Sequence, residues 1–386
     1  MNFEYHVPPV FVSHKGSRFG VANHAKSLSI KKPLIVTDDY LYHSGGSVDI
    51  EDCFTNAGMD LALYYDIYGE PTLKDVEGAL ATYKENHCDG VVCIGGGSAM
   101  DAAKAVAVMV TNPGSIGDYM GYHKVVNPRV PLIAIPTTAG TGSEVTRVVV
   151  ISDTEKNVKM MCLDNAFMPD VAIIDYKLTL TMPKNLTAYV GMDALTHAIE
   201  AYVSKKASIV SNMFALKAID MIIKSIMNAY NFPDDEVARE MMMIGASFAG
   251  IAFSNASVCA VHGMSRPIGA NFGVAHGLSN AMLLPVVTEN SVGSNPKRYA
   301  DIARFIGHDG NLTDVELAEA LVVDLKRLNT ELTIPNMKEY GIKQEEYELA
   351  IPAMVEAAIA SGSPANNPAI FTAGEMADLY KIAFDY

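Results

Sequence analysis

The stretch Gly90–Lys104, GVVCIGGGSAMDAAK, joins an apolar run to an alanine-rich run through three consecutive glycines. The apolar run is typical of a buried strand, and the alanine-rich run is typical of a helix. Glycines at the junction let the backbone approach a ligand closely, and a helix start at Ser98 offers unpaired N–H groups to a pyrophosphate. A strand, turn and helix in this order predict an α/β fold that binds a nucleotide, with a tight turn capped by Ser98 as the alternative.

The same alternation of apolar and amphipathic runs extends from the N-terminus to about residue 178. It indicates an open, mostly parallel α/β sheet. Strands are predicted at 34–37, 61–65, 90–94, 132–136 and 171–175, helices at 50–57 and 73–86, and a β-hairpin from 145–152 and 157–162.

The pattern changes near residue 180, where long helical periodicities replace the strands. Helices are predicted at about 184–203, 207–229, 234–256, 315–330, 346–360 and 372–384. A chain of 386 residues is long for one hydrophobic core. We therefore predict two domains, an α/β domain over residues 1–180 and an all-helical domain over residues 181–386.

Composition limits the classes of partner. The net charge of −15 would repel nucleic acid and anionic membrane surfaces, so a small molecule is the expected ligand. The five cysteines are scattered without a Cys-x2-Cys pair, which argues against a disulfide framework and favours a reducing cytoplasm. The N-terminal residues show no secretory signal, and the apolar stretch 241–264 carries enough polar residues to indicate a buried helix pair instead of a membrane span.

A second loop, PTTAGTGSE at 136–144, also follows a predicted strand. Its four hydroxyl side chains can hydrogen-bond a ribose or a phosphate; they are Thr137, Thr138, Thr141 and Ser143. The alternative is a Ser/Thr-rich turn that satisfies its own backbone. Two such loops at the carboxyl ends of strands favour a dinucleotide lying across the edge of the sheet.

Asp38 follows the predicted strand at 34–37. A carboxylate at a strand end can hydrogen-bond the adenosine ribose and would repel a 2′-phosphate, which favours NAD over NADP. The usual Rossmann fingerprint places this acid after the glycine loop and a glycine where Met100 stands, so the topology is not the ordinary one. A plain helix N-cap beside Asp39 is the alternative.

The segment GMDALTHAIE at 191–200 contains a pattern suited to a metal. Asp193 and His197 are four residues apart in a predicted helix, so both side chains project from one face. With His262 and His276 downstream, one carboxylate and three imidazoles are a reasonable ligand set for Fe²⁺ or Zn²⁺. Taken alone, an Asp/His pair at this spacing is more often a surface or capping pair.

Together these motifs resemble the iron-dependent (group III) alcohol dehydrogenase family over nearly the whole chain. The residues that carry the resemblance are GGGSxxDxxK at 95–104, PTTAGTGSEVT at 136–146, GMDALTHAIEAY at 191–202 and the segments around His262 and His276. The resemblance implies a dehydroquinate synthase-like architecture with a dinucleotide-binding α/β domain, a helical domain and a metal in the cleft between them. It also implies a homodimer or larger homo-oligomer.

The resemblance further implies which residues bind what. The metal, Fe²⁺ or alternatively Zn²⁺, would be held by Asp193, His197, His262 and His276. NAD(H) would be held by Asp38, Gly95, Gly96, Gly97, Ser98, Asp101, Thr137, Thr138, Thr141 and Ser143. The implied reaction is metal-assisted hydride transfer between a short-chain aldehyde and its primary alcohol.

Two positions depart from the family pattern. Arg266 stands where many members have a histidine four residues after the third ligand, and Ala369 replaces the arginine of an Asn-Pro-Arg motif. Arg266 cannot transfer a proton, because guanidinium does not deprotonate in proteins. It is a possible anchor for a small anionic aldehyde carrying a sulfonate, phosphonate or carboxylate, with Arg147 as a second candidate. Arg266 directed at the cofactor phosphates or a helix end would say nothing about the substrate.

A lyase of the dehydroquinate synthase type is the alternative from another enzyme class. It would use NAD and a metal without net consumption of the cofactor. The chain lacks a dense cluster of lysines and arginines that would hold a phosphate near the site, which speaks against this alternative.

Overall fold

The computed structural model describes residues 3–156 and 158–386. The chain divides into two compact units, His6–Thr181 and Met182–Tyr386, and the second unit also includes residues 3–5. Tyr5 stacks on Phe214 with ring centroids 6.0 Å apart.

Among the described residues, the first unit contains nine strands in two sheets. They are β1 (Val10–Ser13), β2 (Pro33–Val36), β3 (Ala62–Tyr64), β4 (Gly90–Gly95), β5 (Gly121–Tyr122), β6 (Leu132–Pro136), β7 (Val148–Asp153), β8 (Val158–Leu163) and β9 (Val171–Ile174). The six-stranded sheet has the order β1-β9-β6-β4-β2-β3 and every pairing in it is parallel. The smaller sheet has the order β5-β8-β7, in which β7 and β8 form an antiparallel hairpin.

Helices cover both faces of the parallel sheet. They are α1 (Val21–Ser27), α2 (Asp39–His43), α3 (Val48–Asn56), α4 (Leu73–Glu85) and α5 (Gly97–Met109). Alternate side chains of β4 enter opposite cores: Val91 and Cys93 pack with α4 and α5, whereas Val92 and Ile94 pack with α1 and α3. Burial on both faces explains why these strands are apolar runs without polar alternation.

The second unit is helical throughout the residues described. Its helices are α6 (Lys184–Val203), α7 (Ile209–Asn231), α8 (Glu236–Ala256), α9 (Ala260–Phe272), α10 (His276–Ser291), α11 (Pro296–Ile306), α12 (Asp314–Glu331), α13 (Gln344–Ala360) and α14 (Ala373–Ala383). Helix α6 packs against α7, α8 and α10 and is buried on all sides from Met192 to Val203. It is the central helix of this unit.

This architecture confirms the predicted fold class, a mostly parallel α/β region followed by a helical one. The predicted hairpin forms, although β7 begins at Val148 instead of residue 145, and Asn157 lies outside the described residues. The sequence analysis missed β1, β5, α1, α10 and α11, and it gave no bounds for α9, the second helix of the pair expected in 241–264. Two of these helices contain an internal proline, Pro267 in α9 and Pro285 in α10. A proline removes one helical hydrogen bond, so local propensity underrates such a helix and tertiary packing decides it.

The apolar stretch 241–264 lies in α8 and α9, which meet at an angle of 105°. Within the described residues, no single helix has both the length and the apolar character needed to cross a membrane. The bend passes through Ser257, whose φ of 89° is in the left-handed region. Asn366 holds this turn by donating to the Ser257 hydroxyl and to the Val258 carbonyl, at 3.0 and 3.1 Å.

Candidate metal centre and cofactor loops

Four side chains converge inside the helical unit. Asp193 and His197 lie one turn apart on α6, His262 is the third residue of α9, and His276 is the first residue of α10. One ligand atom from each residue lies within 4.8 Å of the corresponding atoms of the other three. The structure therefore brings together all four residues that the sequence analysis selected as metal ligands.

The distances between these atoms suit a shared ion better than hydrogen bonds. Asp193 Oδ1 lies 3.9 Å from His197 Nδ1, 3.6 Å from His262 Nε2 and 3.8 Å from His276 Nε2. Each distance exceeds the usual limit for an N–H···O hydrogen bond. Two ligands that each lie about 2.0–2.2 Å from one ion are separated by about 3–4 Å.

Two of the imidazole nitrogens support the same interpretation. His197 Nδ1 and His262 Nε2 are buried and have no hydrogen-bond partner among the described residues. A buried polar atom without a partner costs free energy, and in folded proteins such atoms are usually satisfied by water or an ion. Three imidazoles and one carboxylate are a donor set for Fe²⁺ or Zn²⁺, so the residues present fit a divalent transition metal.

The ionisation states of Asp193 and His197 also suit metal ligation, whereas the carboxylates of Asp193 and Glu200 outweigh burial and raise the pKa of His262. Burial lowers the pKa of His197 to about 3 in spite of the nearby Asp193, and the charges of His262, His276 and Arg266 act in the same direction as burial. Burial opposes ionisation of Asp193, but the imidazole charges, led by that of His197, hold its pKa below the ordinary value. A neutral imidazole and an ionised carboxylate are the forms that bind a metal.

Two polar residues next to the centre escaped the sequence analysis. Asn280 is completely buried, and its Nδ2 donates to Asp193 Oδ1 at 2.6 Å. Glu200, also buried, accepts a hydrogen bond of 2.7 Å from His262 Nδ1. The sequence spacing could have identified both residues. Asn280 follows His276 by four residues and Glu200 follows His197 by three, and residues so spaced in a helix lie on the same face.

The predicted cofactor loops meet at the carboxyl ends of three adjacent strands in the other unit. Strands β2, β4 and β6 pair in parallel and lead into Asp38, the glycine turn and the Thr/Ser loop, respectively. Helix α5 begins at Gly97 with Gly96 as its N-cap, and no side chain caps it. Its first N–H groups therefore suit an anion, and the alternative of a turn capped by Ser98 does not describe this helix.

Glycine is required for the contact between the two loops. A Cβ at Gly97 would lie 2.8 Å from Thr141 Cγ2, and a Cβ at Gly95 would lie 2.7 Å from the Cβ of Ala99. Thr138 lies beside Gly96, 3.5 Å from the position of a Cβ there. The glycine turn and the Thr/Ser loop therefore pack directly against each other at Gly96 and Gly97.

Asp101 and Ser143, both predicted to contact the cofactor, bond to each other. Ser143 Oγ donates to Asp101 Oδ1 at 2.7 Å and accepts from Lys104 Nζ at 2.8 Å. Lys104 is fully buried, and its amine also donates to Thr146 Oγ1 and the Val148 carbonyl, each at 3.0 Å. This network connects helix α5 to the end of the Thr/Ser loop.

Asp38 has two roles available in the structure. Its Oδ1 accepts a hydrogen bond of 2.8 Å from Leu41 N and caps the short helix α2. Its Oδ2 lies beside the glycine turn, 3.4 Å from the position of a Cβ at Gly95. One oxygen therefore serves the N-cap and the other faces the loop proposed to bind the cofactor.

Arg266 lies on α9, one turn after His262. Its Nη1 donates to Ser363 Oγ at 3.3 Å, and its charge contributes to the lowered pKa of His197. Arg147, the second candidate anchor, donates to Asn165 Oδ1 at 3.0 Å in the other unit. Asn367 of the altered Asn-Pro-Ala segment donates to Ser291 Oγ and to the Ala369 carbonyl.

Comparison with known proteins places these motifs in one family. Residues 187–384 match the C-terminal model of the Fe-containing alcohol dehydrogenase family, and residues 8–176 match the iron-containing alcohol dehydrogenase model. The NAD-dependent methanol dehydrogenase of Bacillus methanolicus is 36% identical over 381 residues, covering 98% of this chain and 99% of that protein. The 1,3-propanediol dehydrogenase of Citrobacter freundii is 35% identical over 386 residues, covering 99% of each.

Solved structures agree with the sequence comparison. A crystal structure of a 1,3-propanediol oxidoreductase superposes with a TM-score of 0.96 at 34% identity and covers 100% of both chains. Similarity of this extent includes the helices that carry the four candidate ligands as well as the strands that carry the two loops. The chain belongs to the iron-containing alcohol dehydrogenase family.

Proposed function

We propose that this protein is an NAD(H)- and metal-dependent alcohol dehydrogenase that interconverts a short-chain aldehyde and its primary alcohol. The observation that carries the proposal is the cluster of one carboxylate and three imidazoles in the helical unit, with two buried nitrogens that lack a partner among the described residues. Family membership supports the reaction class, because the relatives compared above are named as an NAD-dependent methanol dehydrogenase and a 1,3-propanediol dehydrogenase.

Asp193, His197, His262 and His276 would hold the metal. When bound, it supplies Lewis-acid polarisation of the substrate oxygen. Fe²⁺ is the proposed ion because of the family, and Zn²⁺ would bind the same ligands, so availability would decide between them. Phe253 stacks on His197 with ring centroids 4.3 Å apart and an interplanar angle of 18°, which restricts the rotation of this imidazole.

The glycine turn and the Thr/Ser loop would hold NAD(H), which supplies or accepts the hydride. The uncapped N-terminus of α5 would bind the pyrophosphate, and Asp38 Oδ2 would accept from the adenosine ribose. Gly95, Gly96, Gly97, Ser98, Thr137, Thr138 and Thr141 would line the cofactor. Asp101 and Ser143 would act by fixing the loop through their own hydrogen bond.

The charge of Asp38 is expected to select NAD over NADP. In Asp38→Asn the charge is removed, but the N-cap of α2 is retained because asparagine caps helices as well as aspartate does. The ratio of kcat/KM for NAD⁺ to that for NADP⁺ should fall at least about tenfold, equivalent to 1.4 kcal/mol. Steady-state kinetics with both cofactors measure it, and an unchanged ratio would remove Asp38 from the cofactor site.

Arg266 is expected to leave substrate choice among short aldehydes unchanged, because its guanidinium donates to Ser363. Arg266→Ala should therefore alter kcat/KM by the same factor for acetaldehyde and for its sulfonated and phosphonated analogues. If Arg266 anchored an anionic substrate, the variant would lose about 10- to 100-fold on the anionic aldehydes alone. That result would instead favour a reductase specialised for small anionic aldehydes.

The proposal is tested by reduced-nicotinamide absorbance with purified protein, added Fe²⁺ and a panel of short alcohols and aldehydes. We expect NAD⁺ to be reduced with primary alcohols and NADH to be oxidised with the matching aldehydes. A cofactor signal absent across the whole panel would overturn the oxidoreductase assignment.

We further propose a cytoplasmic homo-oligomer. All five cysteines are free thiols, which suits a reducing compartment. Strand β1 lies at the edge of its sheet, and Val10 in it is exposed, so this edge is available for pairing with a second copy. Light scattering coupled to size-exclusion chromatography would give the mass, and a monomer would contradict the oligomer.

A further inference from the structure

Glu200 is a buried carboxylate that stands beside the metal centre without belonging to it. It lies on α6, the helix of Asp193 and His197, and its relative exposure is 2%. Its oxygens accept three hydrogen bonds, from Cys259 N at 2.9 Å, from Val261 N at 2.6 Å and from His262 Nδ1 at 2.7 Å. All three donors belong to the start of α9.

The two backbone donors explain why a carboxylate is stable in this position. The first N–H groups of a helix have no partner within the helix, and the N-cap of α9, Cys259, makes no side-chain cap. The carboxylate of Glu200, which belongs to the neighbouring helix α6, caps α9 instead. It lies at the N-terminal end of α9, where the helix dipole favours a negative charge. It also holds the chain just after the bend at Ser257, whose backbone is in the left-handed region.

The third donor connects this cap to the metal centre. A carboxylate that receives these bonds only accepts, so a hydrogen of His262 lies on Nδ1, and in the neutral ring the lone pair therefore lies on Nε2. His262 Nε2 is the nitrogen 3.6 Å from Asp193 Oδ1, and it has no hydrogen-bond partner among the described residues. The contact with Glu200 thus presents the lone pair of His262 to the other ligands.

We infer that Glu200 is a positioning residue of the metal centre, which sets the tautomer and orientation of His262 and ties α9 to the ligand-bearing helix α6. This inference rests on the proposed function, since it requires that the four residues bind a metal. Glu200 itself touches neither the substrate nor the cofactor in this account. Its effect is to assemble Asp193, His197 and His262 before the metal arrives.

Glu200→Gln separates this role from simple packing, because glutamine has nearly the same shape. Its amide offers one acceptor oxygen and one NH₂ group to three donors, so at least one N–H group meets another donor. If the NH₂ group faces His262, the ring accepts at Nδ1 and its hydrogen moves to Nε2. Nε2 then has no lone pair available for a metal. Either arrangement disturbs His262 or the first turn of α9.

Tyr380→Phe is the matched control. The Tyr380 hydroxyl is buried and donates to the carbonyl of Met264, two residues after His262 on the same helix, at 2.7 Å. This variant removes a buried hydrogen bond to α9 without touching a ligand. A residue that only stabilises the helix should behave in the same way as Tyr380.

The experiment measures Zn²⁺ affinity of metal-stripped protein by competition with a chromophoric chelator. We expect Glu200→Gln to weaken binding about 10- to 100-fold, the range for loss of a partner that orients a ligating histidine, and Tyr380→Phe to leave it unchanged. Equal affinity in Glu200→Gln and the unsubstituted protein, or an equal loss in both variants, would overturn the inference. Failure of the unsubstituted protein to bind Zn²⁺ would instead overturn the metal site of the proposed function.

A second measurement needs no substitution and covers the case in which Glu200→Gln fails to fold. Nitrogen-15 NMR of histidine-labelled, metal-stripped protein reports the tautomer of each imidazole. The inference predicts that His262 always carries a hydrogen on Nδ1, and that at a pH where the ring is neutral its Nε2 is unprotonated. A neutral His262 with its hydrogen on Nε2 would overturn it.

Discussion

His197→Ala is expected to abolish metal retention and to lower turnover by about 10³-fold or more. The substitution removes one of four converging ligand atoms, a buried imidazole whose Nδ1 has no other partner among the described residues. Loss of the metal removes several kcal/mol of stabilisation of the developing charge on the substrate oxygen, and about 4 kcal/mol corresponds to about 10³-fold in rate. Elemental analysis and steady-state kinetics measure the two effects.

Binding of NADH to His197→Ala should persist, because the loops proposed to hold the cofactor belong to the other unit. Fluorescence titration with NADH checks this separation. His308→Ala is the control, since His308 is a partly buried histidine of the same unit that bonds to Asp324 at 2.6 Å, outside the centre. It should keep its metal. A His197→Ala protein that retains one metal ion and turns over normally would contradict the assignment.

Lys104→Met is expected to lower the free energy of unfolding by about 3–5 kcal/mol, the range for removing one partner of a buried charged network. Burial lowers the pKa of Lys104 to about 8, against the attraction of Asp101 and Glu144. The methionine fills the space but leaves the hydroxyls of Ser143 and Thr146 and the carboxyl of Asp101 without the ammonium group. Urea unfolding followed by circular dichroism measures the loss.

The same variant should bind NADH more weakly, because Lys104 and Asp101 fix the end of the Thr/Ser loop through Ser143. Lys156→Met is the control, since the Lys156 side chain is 79% exposed and its buried partner Asp153 keeps the hydrogen bonds from Glu155 N and Lys156 N. An ion pair with so exposed a lysine contributes about 0–1 kcal/mol. If Lys104→Met were as stable as Lys156→Met, the network would not support the loop as described here.

The sequence predicted the fold class because strand and helix patterns in this chain are strong where burial is complete. The predicted helix 184–203 coincides with α6, and the predicted strand 132–136 coincides with β6. Strand β1 was missed because it has four residues at a sheet edge, where exposed and half-buried side chains hide the apolar pattern. Helix α10 was missed and α9 was left without bounds; both contain an internal proline, which is normally evidence against a helix, although α13 was predicted in spite of Pro352.

The sequence predicted the four candidate metal ligands but not the hydrogen bonds that hold the site residues in place. Asp193 and His197 share one helix, so their spacing alone indicates proximity, whereas His262 and His276 come together with them only through packing. The bond of Ser143 to Asp101 spans 42 residues, and that of His262 to Glu200 spans 62. Local patterns do not encode such pairs: the helical spacing places Asn280 and Glu200 near predicted ligands but does not show which side chain each one bonds.

The central claim is that turnover requires both the metal held by this cluster and a nicotinamide cofactor. The most direct test is an anaerobic titration of Fe²⁺ into metal-stripped protein. The oxidation of NADH by a short aldehyde is measured after each addition. We predict no turnover without metal, a linear rise on addition and saturation at one ion per chain. Turnover in stripped protein that equals that of the reconstituted protein would contradict the account.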